Sequence, residues 1–400
     1  MAILDISAPG GPVNEPAYPY YEADAAQFSQ IYDQVLQPPT LYAAGLSVSG
    51  SSGGLVTFDA SGSTPNPLGQ LFYPSESGLA IQVSGTNAYL GLTDSLKVLD
   101  VSNTGSPTEV ASVPLPANAL ALSGTTLFVG TSDDRLVVLD VSNPATPSQI
   151  ASISIPGPPV TMRVASGLLF VADGPQGLLI FNVSNAASPI LLSQLSLSSP
   201  VWDVAPSGTT ALLAADALGL VIVDISNPGQ VKQLSATPLP PFNPFPSYGT
   251  IGSLTLAVSI AVQNGLAYVG TAVTQVGADD GAVDALAAFD FGTPTSPRLV
   301  AFRRQLTYGI TVITPSANDL FLADGGMVTE FDNSLPRNSI EIYPSPAALA
   351  QSFAAQRARG QSTAYMHSKL TKNWKTSERR RHPLQQIGSP RCPVRSQCSH

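Results

Sequence analysis

An all-β fold, a seven-bladed propeller of four-stranded antiparallel blades, is what this sequence predicts. Three observations predict it: a motif recurring at near-constant spacing, four strand-and-turn events in each period, and one strand per period that is apolar on both faces.

The motif is a short apolar run closed by an acid, then a turn rich in Ser, Asn, Gly and Pro. It reads Leu55-Val-Thr-Phe-Asp59, Leu96-Lys-Val-Leu-Asp100, Leu136-Val-Val-Leu-Asp140, Leu178-Leu-Ile-Phe-Asn182, Leu220-Val-Ile-Val-Asp224, Leu286-Ala-Ala-Phe-Asp290 and Met327-Val-Thr-Glu-Phe-Asp332. From position 59 the closing residues stand 41, 40, 42, 42, 66 and 42 apart. Such self-similarity marks an array in which one supersecondary unit repeats. A further copy, Ala2-Ile-Leu-Asp5, has no partner strands before it. It points to a chain that begins partway through a blade of a longer product, an eight-bladed propeller truncated here, or to a strand that patches the ring closure. No basic or apolar leader precedes it, so no signal peptide is read in this chain.

Within a period the events are alike. In 200–237, Val201–Ala205 is a short strand, Ser207-Gly208 turns the chain, and Thr210–Asp216 runs back. Leu218-Gly219 turns again into Leu220–Ile225, and Ser226-Asn227-Pro228-Gly229 reverses that strand into Val231–Thr237. Runs of β-branched and apolar residues between Gly, Asn and Pro turns are strands of a meander, and four per period of about 40 residues make a propeller blade. The third strand is apolar throughout. A strand buried on both faces reads that way, so it is expected between neighbouring blades, where truncating Ile222 or Val138 costs about 2–4 kcal/mol.

The residues Leu220-Val221-Ile222-Val223-Asp224 spell LVIVD, and Asp224-Ile-Ser-Asn-Pro228 and Asp140-Val-Ser-Asn-Pro144 share the turn that follows. Over about residues 26–343 the chain resembles the LVIVD-repeat family, with departures at Asn182, Phe291-Gly292 and Asn333. The resemblance implies a propeller and, because such proteins are mostly exported or surface-attached in bacteria and archaea, an extracellular or cell-surface location. It implies no particular activity.

Three regions follow: residues 1–25, a partial blade strand and linker; 26–343, the propeller; and 344–400, a basic disordered tail. Blades are expected at about 26–75, 76–116, 117–157, 158–198, 199–240, 241–305 and 306–343. The first is the least regular. Ala25, Phe28, Ile31, Tyr32, Val35 and Leu36 have helical spacing, yet Ile31-Tyr-Asp33 aligns with Val201-Trp-Asp203, which favours a strand. The sixth blade carries about 24 extra residues, in 238–252 and 275–283, and long loops in compact repeats are where function concentrates.

Charge divides the chain. Residues 1–343 hold 8 of the 18 basic and 26 of the 27 acidic residues, a net −18, while 344–400 hold the other 10 basic residues and one acid, a net +9. An acidic body repels phosphate backbones, so nucleic acid is not an expected partner. Only 11% of residues are charged and 44% are apolar, yet no window is long and apolar enough for a membrane span. Both cysteines (Cys392, Cys398) and all three histidines (His367, His382, His400) lie in the tail. The body therefore offers no Ser/His/Asp set and no Cys- or His-based zinc site. The tail itself is either a basic linker or an out-of-frame segment, and its composition cannot bury enough surface to order it.

The repeated acids Asp59, Asp100, Asp140, Asp224, Asp290 and Asp332 open turns, where a carboxylate accepts backbone N–H groups; their recurrence marks a structural role. A second set, Asp94, Asp133-Asp134, Asp173-Gly174, Asp216 and Asp324-Gly325, follows the second strands, where Asp and Gly tolerate positive φ. A ring of these at one end would still attract a cation. The densest acids, Asp279, Asp280 and Asp284, sit in an insertion and offer hard oxygen ligands that suit Ca²⁺, although their spacing is not that of an EF-hand. Phe242, Phe245 and Tyr248 are aromatic candidates for sugar stacking or protein contact. A glycosidase-type acid pair is the remaining enzymatic option.

The expected function is a non-enzymatic interaction scaffold, without a resident cofactor, monomeric, and binding protein or carbohydrate at a bacterial cell surface through Phe242, Phe245, Tyr248, Asp279, Asp280 and Asp284. The alternatives are an extracellular hydrolase or lyase with acids in the central funnel, and a spacer repeat of an adhesin-like protein. Cutting the chain after about residue 345 is expected to leave thermal unfolding unchanged within about 0.5 kcal/mol; a large loss would show that the tail packs on the propeller.

Overall fold

The computed structural model describes residues 28–344 except 48, 62–64, 241–253, 275–283, 306–309, 317–318 and 325–339. Among these residues all regular secondary structure beyond short turns is β-strand. Seven antiparallel sheets follow one another, six of four strands and a seventh of three, each in plain sequential order. The first strands are Phe28–Gln37, Gly78–Ser84, Ala119–Ser123, Thr161–Ala165, Asp203–Ser207, Leu254–Gln263 and Ile310–Pro315. Each lies beside the first strand of the next sheet, and the last lies beside the first. These strands therefore line the axis, and the fourth strands form the rim.

Residues with helical spacing at 28–36 are in fact a strand, paired with Thr40–Ser47. Two-residue hairpin turns explain the tight reversals between first and second strands. Ser166-Gly167 (φ 51° and 75°) and Asn264-Gly265 (φ 51° and 78°) both take the paired positive φ that such turns need. In the seventh sheet the motif Met327–Asp332 falls outside the described residues, and the strand paired with Asp319–Asp324 is Ile340–Pro344. The segments 1–27 and 345–400 also lie outside them.

The core is not one layer but seven interfaces, and the third strands serve two each. Leu178 and Ile180 pack with Val221 and Val223 of the next blade, whereas Leu179 and Phe181 pack with Leu136 and Val138 of the one before. Leu220 and Ile222 in turn face Val269 and Phe289. Successive side chains of a strand point to opposite faces, so a strand between two sheets must be apolar at every position. Leu220, Val221, Ile222 and Val223 are all 0% exposed.

The rim follows a second rule. In all six four-stranded sheets the pairing of third and fourth strands shifts by one residue at the same place. The extra residue is Leu68, Val110, Ile150, Leu192, Leu234 or Val300. Bulges twist an edge strand away from regular pairing and so discourage edge-to-edge association. Ile222→Ala is expected to lower unfolding free energy by about 2–4 kcal/mol, whereas Val110→Ala, at a rim bulge, should change it by no more than about 0.5 kcal/mol. Denaturant titration of the two variants checks this, and equal losses would contradict the double-sided burial.

Candidate functional site

A four-stranded meander assigns every turn to one end or the other. First-to-second and third-to-fourth turns fall at one end, while second-to-third turns and blade-to-blade connections fall at the opposite end, where each first strand begins. We call the latter the entry end.

The repeated motif acids among the described residues sit away from it, and Asp332 lies outside those residues. Asp59, Asp100, Asp140, Asp224 and Asp290 each accept the backbone N–H two residues on, at 2.8–3.0 Å, and Asn182 does the same at 3.0 Å. Asn103, Asn143, Asn185 and Asn227 repeat the contact in the following turn. Hydrogen bonds from the serine two residues on hold the Asp59, Asp100, Asp140 and Asp224 carboxyls below the usual range, and the Gly292 amide does so for Asp290. These acids are turn caps, as their recurrence implied.

The axis near the entry end holds a cavity of about 40 Å³, with room for about three waters and not for a sugar ring. Its polar lining includes Tyr32, Asp33, Asn118, Thr161, Arg163 and Asp203. Asp33 and Asp203 occupy the same register, opposite Ala44 and Ala214. They also do the same thing. Asp33 Oδ1 accepts the Gln34 amide at 2.9 Å, and Oδ2 accepts the Ile81 amide of the next blade at 2.9 Å. Asp203 Oδ1 accepts the Val204 amide at 2.8 Å, and Oδ2 accepts the Ile260 amide of the next blade at 3.0 Å. Asp203 Oδ1 additionally accepts Thr161 Oγ1 at 3.0 Å and lies 3.6 Å from Arg163 Nη2. Each acid thus clamps its own inner strand to the next one.

Other blades place uncharged groups at this register: Ala80, Ala119, Thr161, Ser259 and Val312, opposite Gly91, Gly130, Ala172, Gly270 and Ala323. The small partner is a packing requirement. A Cβ on Gly270 would meet Ser259 Oγ and the Ile310 carbonyl, and one on Gly91 would meet the Ala117 carbonyl. Sequence reading aligned Asp33 with Asp203 but used the match only to set register. The signal for the cavity was there: acids at an inner-strand position that elsewhere is small or apolar.

Of the binding residues expected from sequence, Phe242, Phe245, Tyr248, Asp279 and Asp280 lie outside the described residues. Asp284 opens the third strand of the sixth blade, its backbone paired with Gln305. The strand ends that flank both insertions are described. Thr237 and Leu254 bound the first, Thr274 and Asp284 the second, and Leu254 pairs directly with Thr274. All four belong to the entry end.

The same end carries the second acidic set. Asp134 and Asp216 adopt positive φ (59° and 48°), as does Gly174 (51°), in keeping with hairpin positions. Asp216 accepts Trp202 Nε1 at 3.1 Å, Asp133 pairs with Arg135 at 2.8 Å, and Glu76 accepts Ser95 Oγ at 3.0 Å. Asp173 differs. It is 1% exposed and neither carboxylate oxygen has a partner in good hydrogen-bonding geometry, although the Gly157 amide lies near enough to favour its charge.

Burial pushes both Asp33 and Asp173 up to about 6; Arg163 and the Ile81 and Gln34 amides oppose the shift at Asp33, and the Gly157 amide opposes it at Asp173. In the unfolded chain these carboxyls ionise near 3.8. Between those values the folded state holds more protons, so stability must rise as pH falls through about 6. The turn-capping acids act oppositely: their contribution is intact above the unfolded value and is lost as pH falls below it. The midpoint of thermal unfolding, without divalent cations, should therefore rise from pH 7 to about 5 and fall below about 4. A midpoint that is flat or falling between pH 7 and 5 would contradict these environments.

Comparison with known proteins agrees with this architecture. The LVIVD repeat matches four times, at residues 79–114, 116–154, 162–196 and 200–232, which are the second to fifth blades. No curated protein matches the chain. Among solved structures it is similar to U3-55K, with 12% identity over 79% of this chain and 95% of that one, at a TM-score of 0.61. It is also similar to the WD40 domain of Neurospora crassa Pan2 (13% identity, 77% and 89% covered, TM-score 0.54) and to Saccharomyces cerevisiae Sqt1 (11%, 74% and 81%, 0.52). At such identities the likeness concerns the fold alone. With the repeat matched in four consecutive blades and the strand order described above, the chain folds as a β-propeller that carries LVIVD repeats in its second to fifth blades.

Proposed function

We propose that this propeller is a non-enzymatic binding scaffold of an exported or cell-surface bacterial protein, and that its entry end is the binding face. The observation that carries the reading is the commitment of the axial acids. Both oxygens of Asp33 and of Asp203 accept backbone amides, so the groups best placed for chemistry are engaged in holding blades together. The cavity between them is small, about 40 Å³. What varies between blades is instead gathered at the entry end, where both insertions of the sixth blade depart and where Glu76, Asp94, Asp134 and Asp216 lie. A face built this way suits a carbohydrate or a protein partner, recognised by Phe242, Phe245 and Tyr248 together with the acids Asp279, Asp280 and Asp284. Aromatic anchors on Pro-rich loops lower the ordering cost of binding.

One observation favours the hydrolase or lyase reading: Asp33, pushed up to about 6, faces the same cavity as Asp203 and Arg163. A carboxyl that holds its proton near neutrality is what a general acid requires. The two readings separate experimentally. Replacing 241–253 and 275–283 by short turns is expected to abolish binding on a glycan array or to immobilised surface proteins while leaving the unfolding midpoint unchanged. Binding that survives both replacements overturns the scaffold face. Release of soluble products from polysaccharides by the natural chain, but not by Asp33→Asn, would establish the enzymatic reading instead.

A further inference from the structure

The turn at 173–177 in the fourth blade has a twin at 215–219 in the fifth. In each, the first residue's amide donates to the carbonyl four residues on (Asp173 to Gly177 at 2.9 Å, Ala215 to Gly219 at 3.0 Å). The fourth residue donates back to the first (Gln176 to Asp173 and Leu218 to Ala215, both 2.9 Å), and the fifth donates to the second (Gly177 to Gly174 and Gly219 to Asp216, both 3.1 Å). Each turn is also bridged to the following blade connection, Gly174 to Val201 and Asp216 to Ala257. The backbone is therefore fully satisfied with alanine at the first position. The Asp173 carboxylate contributes nothing to its own turn.

Equivalent positions elsewhere show what a polar side chain does there when it is structural. Thr131 Oγ1 accepts the Arg135 amide at 3.1 Å, and Thr271 Oγ1 accepts the Ala285 amide at 2.7 Å, each capping the start of a third strand. Asp173 caps nothing, although it is 1% exposed. A buried carboxylate without hydrogen bonds is costly, and native structures keep such groups only with a reason, an ion or water among them.

A second carboxylate stands near it, and the Gly157 amide is the one group that steadies its charge. Across the cleft stands the second-to-third turn of the third blade, whose Asp134 is close enough to act electrostatically on Asp173. Asp133 of that turn is occupied by Arg135, whereas Asp134 joins no ion pair among the described residues. The Asp134 carbonyl accepts the Ile155 amide at 2.9 Å, which ties this turn to the connection passing over Asp173. At Gly157 that connection comes so close that an added Cβ would lie 3.4 and 3.5 Å from the two carboxylate oxygens and 3.1 Å from Gln176 Cγ. The Gln176 side chain borders the same cleft through its Cγ. No basic group raises or lowers Asp173, and the described residues contain neither His nor Cys to supply a softer ligand.

We propose that the cleft between the third and fourth blades at the entry end binds a hard divalent cation of the calcium class, anchored by Asp173 and flanked by Asp134. Two carboxylates neutralise the ion, and main-chain, amide and water oxygens complete the six to eight ligands that Ca²⁺ takes in flexible geometry. With so few charged ligands the affinity belongs to the weak range of extracellular calcium modules, about 10⁻⁴–10⁻³ M. The ion would join two blades at a place where no strand pairing does, and would turn an isolated buried charge into an inter-blade contact.

The test is thermal unfolding and calorimetric titration of the full chain, stripped with chelator, against CaCl₂ at matched ionic strength. Calcium at about 5 mM is expected to raise the midpoint, since binding to the folded state alone stabilises it. Asp173→Asn and Asp173→Ala, the latter carrying the side chain of the twin turn, should fold normally and lose that rise, with affinity down by about tenfold or more. Asp134→Asn should weaken it by less. The double variant Asp279→Asn/Asp280→Asn should retain it, which separates this cleft from the acidic insertion. No calcium-dependent shift in the natural chain, or a shift that persists in both Asp173 variants, overturns the proposal.

Discussion

Within each blade the strands are joined by backbone hydrogen bonds, but between blades no strand pairs with another among the described residues, apart from the isolated bridges at Gly174 and Asp216. The ring therefore rests on side chains meeting across sheet faces, and above all on how closely neighbouring inner strands approach. That closeness explains features that otherwise look unrelated. Second strands carry Gly or Ala opposite that inner-strand position, and at Gly91, Gly130 and Gly270 an added Cβ would strike the neighbouring chain. Inner strands carry Asp, Thr or Ser where a polar side chain can reach the next blade's backbone, as Asp33, Thr161, Asp203 and Ser259 do. The join of the seventh blade to the first uses the same device, with Thr311 Oγ1 donating to the Ile31 carbonyl and Gln34 Nε2 to that of Phe321.

This constraint also decides what the axial acids can do. A carboxylate that accepts two or three short hydrogen bonds from backbone and hydroxyl is held in one orientation, and its loss would leave buried amides unsatisfied at about 1–3 kcal/mol each. Asp203 is fully engaged in that way and also has Arg163 beside it. Asp33 makes the same clamp with no direct cationic partner, and burial raises its proton affinity. Two acids in one register thus do the same structural work, one of them with a guanidinium beside it.

Because each blade is a simple meander, the two ends of the propeller are chemically distinct without any further arrangement. One end is a set of repeated, self-capped turns, in which Asp59, Asp100, Asp140, Asp224 and Asp290 are each satisfied by the chain just beyond them. The other collects blade connections, second-to-third turns and the sixth-blade insertions, and there the blades differ. Asp173 stands out at that end because its blade-five counterpart is alanine in an identical backbone, so its burial answers to no need of the fold.

Much of this was legible in the sequence. The period between Asp59 and Asp224, the unbroken apolar third strands and the Asp, Asn, Gly and Pro turns depend on local geometry and on a strand lying between two sheets, and residue order alone records both. The turn-capping role of Asp59, Asp100, Asp140, Asp224 and Asp290 was legible for the same reason, since a carboxylate and an amide two residues apart need no other partner. The channel cluster and the unpaired Asp173 were not. Asp33 and Asp203 lie 170 residues apart, and their meeting at one cavity depends on the curvature that brings seven inner strands to one axis. Likewise Asp173 reads as an ordinary Asp-Gly turn residue. Only the packing of the Gly157 connection over it takes the carboxylate out of water and leaves both oxygens without a partner in good hydrogen-bonding geometry, because burial belongs to the neighbours that tertiary structure supplies.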